Sequence, residues 1–118
     1  MKRIDKINAE IQRVLSELVA GGYIKDPRMQ GFTSVIRTET TNDLSFCKVF
    51  VSVYGTEEQK KNTMQALKSA SSFLRSELAS RVSLRITPEL IFVLDSSIEY
   101  SIKLDKILRD IKDTDVNS

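Results

Sequence analysis

The sequence has no histidine, no tryptophan and only one cysteine, Cys47. Without histidine, the 118-residue chain has no Ser-His-Asp or Cys-His catalytic group and no histidine metal site. A single cysteine cannot form a disulfide within the chain, which favours a reducing compartment. The four glycines are not spaced as in a P-loop or a dinucleotide fingerprint. We therefore expect no metal, no cofactor, no small-molecule substrate and no enzymatic activity.

Long hydrophobic runs are also missing. None approaches the roughly 18 residues that a membrane span needs, and the first residues lack the apolar stretch of a signal peptide. Two prolines and four glycines are too few for a low-complexity chain. These features predict a cytoplasmic monomer without membrane attachment.

The first half of the chain shows one helical and two strand patterns. Apolar residues recur at helical spacing over residues 3–20, and Gly21-Gly22 can end that helix. Residues 33–40 are rich in β-branched side chains, and residues 45–54 alternate between apolar and other positions. A turn at residues 41–43 would join the two strands into an antiparallel hairpin.

The second half begins with a capping box, in which Thr56 and Gln59 satisfy each other's backbone amides. The helical region that follows runs to about Val82, and four small residues at 69–72 predict a kink within it. The short apolar run at 89–95 predicts a buried strand. A last helix is expected over residues 97–112.

This order of elements predicts an α+β domain with helices on one face of a small sheet. Residues 1–112 would form the single domain, and residues 113–118 a flexible tail.

The net charge of +2 does not by itself indicate a nucleic-acid partner, but the basic residues are unevenly placed. Residues 60–85 contain six basic residues and only one acid. Lys61, Lys68 and Arg75 are seven residues apart and nearly in register on a helix. Such a ridge suits phosphate contacts, although a solvated helix face has the same pattern. The candidate RNA-binding residues of this segment are Lys61, Lys68, Arg75, Arg81 and Arg85.

Three further basic residues are weaker candidates. Lys2 and Lys6 lie on the polar face of the first helix, where Glu10 can pair with Lys6. Arg28 follows a proline in a loop, and it can reach a partner or pair with Asp26. For each of the three residues, a contact with RNA and a purely structural role on the protein surface both stay open.

Two aromatic residues, Phe50 and Tyr54, share a strand face with Lys48. Base stacking is conceivable there, but packing against a helix is commoner and is what we predict. Recognition would then use the RNA backbone and its shape, without aromatic capture of bases. Cys47 lies among valines and is expected to act as a small hydrophobe.

Several segments together resemble the ribosome-binding factor A family. They recur in order over residues 3–112, nearly the whole chain. The strongest are Phe73-Leu74-Arg75-Ser76-Glu77-Leu78, Leu84-Arg85 and Thr87-Pro88-Glu89-Leu90-Ile91-Phe92, and Asn42-Asp43-Leu44-Ser45 is a further matching segment.

The resemblance implies a type II KH-like fold of order α-β-β-α-kink-α-β, here with an added C-terminal helix. The family marks its kink with Ala-x-Gly. Ala70 matches that motif, and Ser72 stands where glycine is usual. The resemblance also implies binding to the free small (30S) subunit and its 16S rRNA, assistance in late maturation including processing of the rRNA 5′ end, and a link to growth in the cold. An alternative is a protein-interaction module that reaches the ribosome through a ribosomal protein.

Overall fold

The computed structural model describes residues 2–96 and 105–109, and residues 2–96 contain three helices and three strands in the predicted order. They are α1 (Arg3–Ala20), β1 (Phe32–Thr40), β2 (Phe46–Tyr54), α2 (Glu57–Ser69), α3 (Ser71–Arg81) and β3 (Glu89–Leu94). Residues 105–109 are also helical, and Ile107 and Leu108 are exposed there. The rest of the predicted C-terminal helix and the predicted tail lie outside the described residues.

The three strands form one sheet in the order β1-β2-β3. β1 and β2 pair antiparallel as predicted, with one irregularity between Val35 and Arg37. β3 instead runs parallel to β2, so that Phe46 lies opposite Glu89 and Val51 opposite Leu94. A parallel pair needs a long crossover, and the helices α2 and α3 provide it.

The helices pack on the sheet face that carries Cys47, Val49 and Val51, all of which are fully buried. α1 contributes Ile11, Val14, Leu15 and Leu18 to this core, and the crossover contributes Leu67, Leu74 and Leu78. The prediction of an α+β domain with helices on one sheet face is confirmed. Burial also raises the pKa of the Cys47 thiol, which makes it a poor nucleophile.

Two predictions about the strands were wrong. β3 is an edge strand rather than a buried one: Leu90 is buried, whereas Ile91 and Leu94 are about 40% exposed. Tyr54 is not packed beneath a helix but is 67% exposed. Phe50 is half-buried, with the Arg37 guanidinium carbon 4.0 Å from its ring centre. Tyr54 and Ile91 are exposed because the described helices cover only the opposite face of the sheet, whereas Leu94 lies on the covered face beside Val51 and is exposed at the end of β3.

The predicted kink is confirmed at Ala70, between the end of α2 and the start of α3. The capping box at the start of α2 is present, with Gln59 N donating to Thr56 Oγ1 and Thr56 N donating to Gln59 Oε1. Ala70 has φ −85° and ψ 2°, and Leu44 is the one non-glycine residue with positive φ in the described part of the chain. Ser72 lies inside α3. The kink therefore makes no demand for glycine at Ser72.

Candidate nucleic-acid interface

A groove of about 500 Å³ runs between α2 and β3. Lys61, Met64 and Lys68 fall on one stripe of α2, because residues three, four and seven apart share a helix face. Met64 forms the apolar floor together with Leu90 and Phe92 of β3, and the two lysines line the rim. The result is an apolar channel with two lysines along its α2 edge, and Gln65 and the acid Glu89 also line it.

The rim lysines are exposed, and neither forms an ion pair within residues 2–96 and 105–109. Lys60 differs, although it is their neighbour in sequence. Its residue is only 9% exposed, and Nζ lies 3.3 Å from Glu57 Oε1. A cation that has no protein partner can neutralise a phosphate without first breaking a contact, so Lys61 and Lys68 are the two best-placed candidates of the predicted ridge.

The kink lies where the groove meets the start of α3. Ala70 caps α3 without any side-chain hydrogen bond to the first amides of the helix. Such amides are unsatisfied within a helix and attract anions. At this kink, however, the carbonyl end of α2 adjoins the amide end of α3, and Ala70 N donates to Ala66 O and Leu67 O, so the start of α3 is not an isolated anion site.

Arg75 of α3 is engaged within the fold. Its Nε donates to the Pro88 carbonyl and its Nη2 to the Thr87 carbonyl, each at 3.0 Å. These bonds tie α3 to the segment that enters β3. Arg75 keeps its charge, but two of its five donors are already used.

Arg81, also on α3, is engaged as well. Its Nε lies 3.3 Å from Glu77 Oε2, its Nη1 lies 3.9 Å from Glu17 Oε2, and its guanidinium is 5.6 Å from the centre of the Tyr23 ring. A hydrogen bond with Tyr23 and the charge of Glu77 raise the pKa of Arg81. Arg81 therefore links α3 to α1.

Arg28 pairs with Asp26, one of the two alternatives that the sequence left open. Nη2 lies 2.7 Å from Asp26 Oδ2, Nε is 3.1 Å from Oδ1, and Nη2 also donates to Ser69 Oγ at 3.0 Å. Hydrogen bonds from the Arg28 side chain and amide lower the pKa of Asp26, and the same pair raises the pKa of Arg28. The loop is thereby attached to the end of α2.

The remaining candidates lie elsewhere. Arg85 lines a separate depression of about 350 Å³ together with Arg3, Ile4 and Leu44. Lys2 and Lys6 are exposed at the start of α1. The structure therefore divides the eight candidates into the rim lysines, three arginines with partners inside the fold, and a group near the start of α1.

Sequence reasoning missed Arg3 and the floor residues Met64 and Phe92. Arg3 was passed over although it follows Lys2 directly. No sequence pattern predicts the floor of the groove, because a single apolar residue on a helix and another on a strand do not indicate that the two face each other.

Other site chemistry is not supported in the described residues. Residues 2–96 and 105–109 hold no group of three or more His, Cys, Asp or Glu side chains placed to bind a metal. Among the same residues, no helix is long and apolar enough to cross a membrane.

Comparisons with known proteins agree with this fold. A family model described as ribosome-binding factor A matches residues 3–108. Ribosome-binding factor A of Clostridium novyi is 42% identical over 94% of this chain and 91% of its own length. The crystal structure of ribosome-binding factor A from Thermus thermophilus matches with a TM-score of 0.68 at 27% identity, over 79% of this chain and 97% of that one.

A third match is a homology model of Thermus thermophilus ribosome-binding factor A, fitted into a cryo-EM map of a 30S complex. It has a TM-score of 0.61 and 29% identity, and it covers 75% of this chain and 91% of that one. The solved relatives have a KH-like fold, as does this chain. The chain belongs to the ribosome-binding factor A family.

Proposed function

We propose that this protein is a ribosome assembly factor that binds the free small (30S) subunit through 16S rRNA. The α2/β3 groove carries the proposal, since it joins an apolar floor to two exposed lysines that form no ion pair within residues 2–96 and 105–109. A relative fitted into a 30S complex supports the same partner. Unpaired RNA presents both bases and phosphates, which matches an apolar channel with a cationic rim.

The mechanism we propose involves no chemistry by the protein. It binds one conformation of the immature subunit more tightly than the others, and this shifts the population toward that state. Late maturation, including 5′-end processing of 16S rRNA by other factors, would follow from that shift. Growth in the cold would depend on it because cold stabilises competing RNA structures. We propose that the protein acts as a cytoplasmic monomer without a cofactor.

Within this proposal the rim lysines Lys61 and Lys68 make the principal phosphate contacts. Arg28, Arg75 and Arg81 add positive potential while keeping their partners in the fold. A second contact involves the group near the start of α1, with Lys2, Lys6 and Arg85.

The test is a double charge reversal, Lys61→Glu with Lys68→Glu. Both side chains are exposed and unpaired, so the fold should survive. Affinity for protein-free 16S rRNA should fall at least about tenfold, and the dependence of log Kd on log salt should become shallower, because each phosphate contact contributes about one unit of slope. Migration with free small subunits in a sucrose gradient should be lost.

A matched control is Lys48→Glu, an exposed lysine on the outer sheet face. It changes the net charge without touching the groove, so it should leave rRNA binding within about threefold of the unmodified protein. Equal losses from Lys48→Glu and from either rim substitution would contradict the site assignment.

The alternative is a protein-interaction module that reaches the subunit through a ribosomal protein. One observation favours it: the outer sheet face exposes Phe32, Phe46, Tyr54 and Ile91 to between 40% and 74%. These residues form two apolar groups, Phe32 with Tyr54 at one end of β2 and Phe46 with Ile91 near the other, and exposed apolar groups are candidates for protein contacts. Subunit binding that is insensitive to salt, and that is lost in Phe32→Ser with Tyr54→Ser but not in the rim variant, would favour this alternative.

A further inference from the structure

A second cleft, of about 550 Å³, opens on the far side of the kink from the groove. Tyr23, from the loop after α1, and Phe73, from the first turn of α3, line it together with Ser69 and Ala70 of the kink. Tyr23 is 49% exposed and Phe73 is 40% exposed. Two aromatic side chains from separate elements thus open to solvent around one small depression.

The Tyr23 side of the cleft is rigid. A Cβ atom on Gly21 would lie 2.7 Å from Tyr23 Cε2, so the ring lies directly against the backbone of Gly21. The Arg81 guanidinium is held near the ring by Glu77 and Glu17. A ring that is already fixed loses little conformational freedom when a ligand stacks on it.

The kink side is held as well. Arg28 joins Asp26 to Ser69 Oγ, and both Asp26 and Ser69 line the cleft. The cleft is therefore built from parts that are tied together in the absence of any ligand.

The charges around the cleft favour an anionic ligand. The nearby acids Asp26, Glu17 and Glu77 each have an arginine partner. Lys25 lines the cleft and is exposed, and it forms no ion pair in the described part of the chain. Lys68 of the groove rim and Ser69 of the cleft are neighbours at the end of α2 but lie on different faces of the helix, so the groove and the cleft adjoin across the kink.

We propose that this cleft takes one unpaired nucleotide of RNA, with its base against Tyr23 and Phe73 and its phosphate near Lys25. The inference rests on the proposed function: a strand that follows the rim past Lys68 reaches the kink, and its next nucleotide enters the cleft. Aromatic stacking accepts any base, so the cleft selects unpaired RNA over duplex and not one sequence over another. This contradicts our expectation of recognition without aromatic base capture, which was drawn from Phe50 and Tyr54 alone.

The experiment measures binding of a labelled eight-nucleotide oligouridylate by fluorescence anisotropy. Phe73→Ala should weaken binding about 5- to 100-fold, the range for one lost base stack. The salt slope should not change, because no phosphate contact is removed. Phe73→Tyr should restore affinity, and an abasic octamer should bind Phe73→Ala and the unmodified protein equally.

Phe46→Ala is the matched control, since Phe46 is a 44% exposed aromatic residue at the start of β2 that does not line the cleft. It should leave binding of the octamer unchanged. Thermal unfolding of each variant checks the fold, and Tyr23→Leu tests the other side of the cleft if Phe73→Ala unfolds.

The outcomes separate the two proposals. If Phe73→Ala binds within twofold of the unmodified protein while Lys61→Glu with Lys68→Glu fails to bind, the cleft inference is wrong and the proposed function stands. Absence of octamer binding by the unmodified protein overturns the cleft inference alone, because the proposed function is tested separately by binding to 16S rRNA. Loss of subunit binding by Phe73→Ala with octamer binding intact would mean that a protein occupies the cleft, and this also overturns the inference.

Discussion

The two halves of the kinked helix pair use their basic residues in opposite ways. α2 presents Lys61 and Lys68 to solvent along the groove, without partners in the described residues. α3 directs Arg75 to two backbone carbonyls and Arg81 to two glutamates. What the sequence presents as one continuous ridge is a row of exposed lysines followed by arginines that link elements of the fold.

The difference follows from the chemistry of the two side chains. A guanidinium has five donors in a fixed plane and can hold two carbonyls at once, whereas an ammonium is a flexible, strongly hydrated point charge. Arginine therefore suits a brace between elements, and lysine suits a mobile contact with a phosphate. A count of cations along the chain does not distinguish these roles.

The largest expected effect is on the free energy of unfolding, when Arg75 or Lys68 is replaced by alanine. Arg75→Ala removes two charge-assisted hydrogen bonds that hold the segment entering β3, and it should lower the free energy of unfolding by about 1–2 kcal/mol. Lys68→Ala removes no protein contact and should change it by less than about 0.5 kcal/mol. Urea denaturation followed by circular dichroism measures both. If the two variants were equally stable, α3 would not be acting as a brace.

A smaller effect concerns Arg28, which braces the kink from outside the helix pair. The pKa of Asp26 is lower in the folded protein than in the unfolded chain. The ionised carboxylate therefore stabilises the folded state at pH values above the unfolded pKa of about 3.9. This stabilisation is lost as the pH falls from the unfolded pKa through the folded pKa, because the unfolded chain takes up the proton at a higher pH than the folded protein does. Asp26→Asn should therefore be less stable than the unmodified protein at pH 7, and the gap should close with acidification below about pH 4.

Urea midpoints between pH 2.5 and 7 test this. Hydrogen bonds in its turn also lower the pKa of Asp43. Because Asp43 is present in both proteins, its effect on stability cancels when Asp26→Asn is compared with the unmodified protein. A gap that stays constant over the whole range would show that the Asp26 carboxylate contributes nothing to holding the kink.

The smallest expected effect is at the kink itself. Ser72 is helical, so Ser72→Gly should lower stability by about 0.5 kcal/mol through the greater backbone entropy of glycine in the unfolded chain. The usual family glycine would then be no advantage here. An increase in thermal stability would indicate that this position favours a conformation that serine resists.

Local patterns were enough to predict the elements. Helical periodicity located α1, alternation located the hairpin, and the capping box and small residues located the start and kink of the crossover. Each signal lies within a few residues along the chain, where propensity and side-chain hydrogen bonds act. The parallel alignment of β3 could not be read this way, since no local pattern records which strand a run will join.

The candidate site was predictable only in its charges. Lys61 and Lys68 were identified from their spacing, but the floor that they flank depends on β3 lying beside α2. The partners of Arg75 are carbonyls of residues 87 and 88, and a backbone carbonyl leaves no trace in the sequence. The cleft at Tyr23 was missed for a related reason, because its two aromatic residues come from segments 50 positions apart that meet only in the folded chain.

The parallel pairing of β2 with β3 also affects the order of folding. The hairpin joins neighbouring segments, but the β2–β3 ladder brings Phe46 to Glu89 and can close only after the whole crossover is in place. Loop-closure entropy makes such long-range pairing a late step. Since the groove has one wall on α2 and the other on β3, it does not exist in any partly folded chain that lacks this ladder. A groove with both walls in place is therefore a property of completely folded molecules alone.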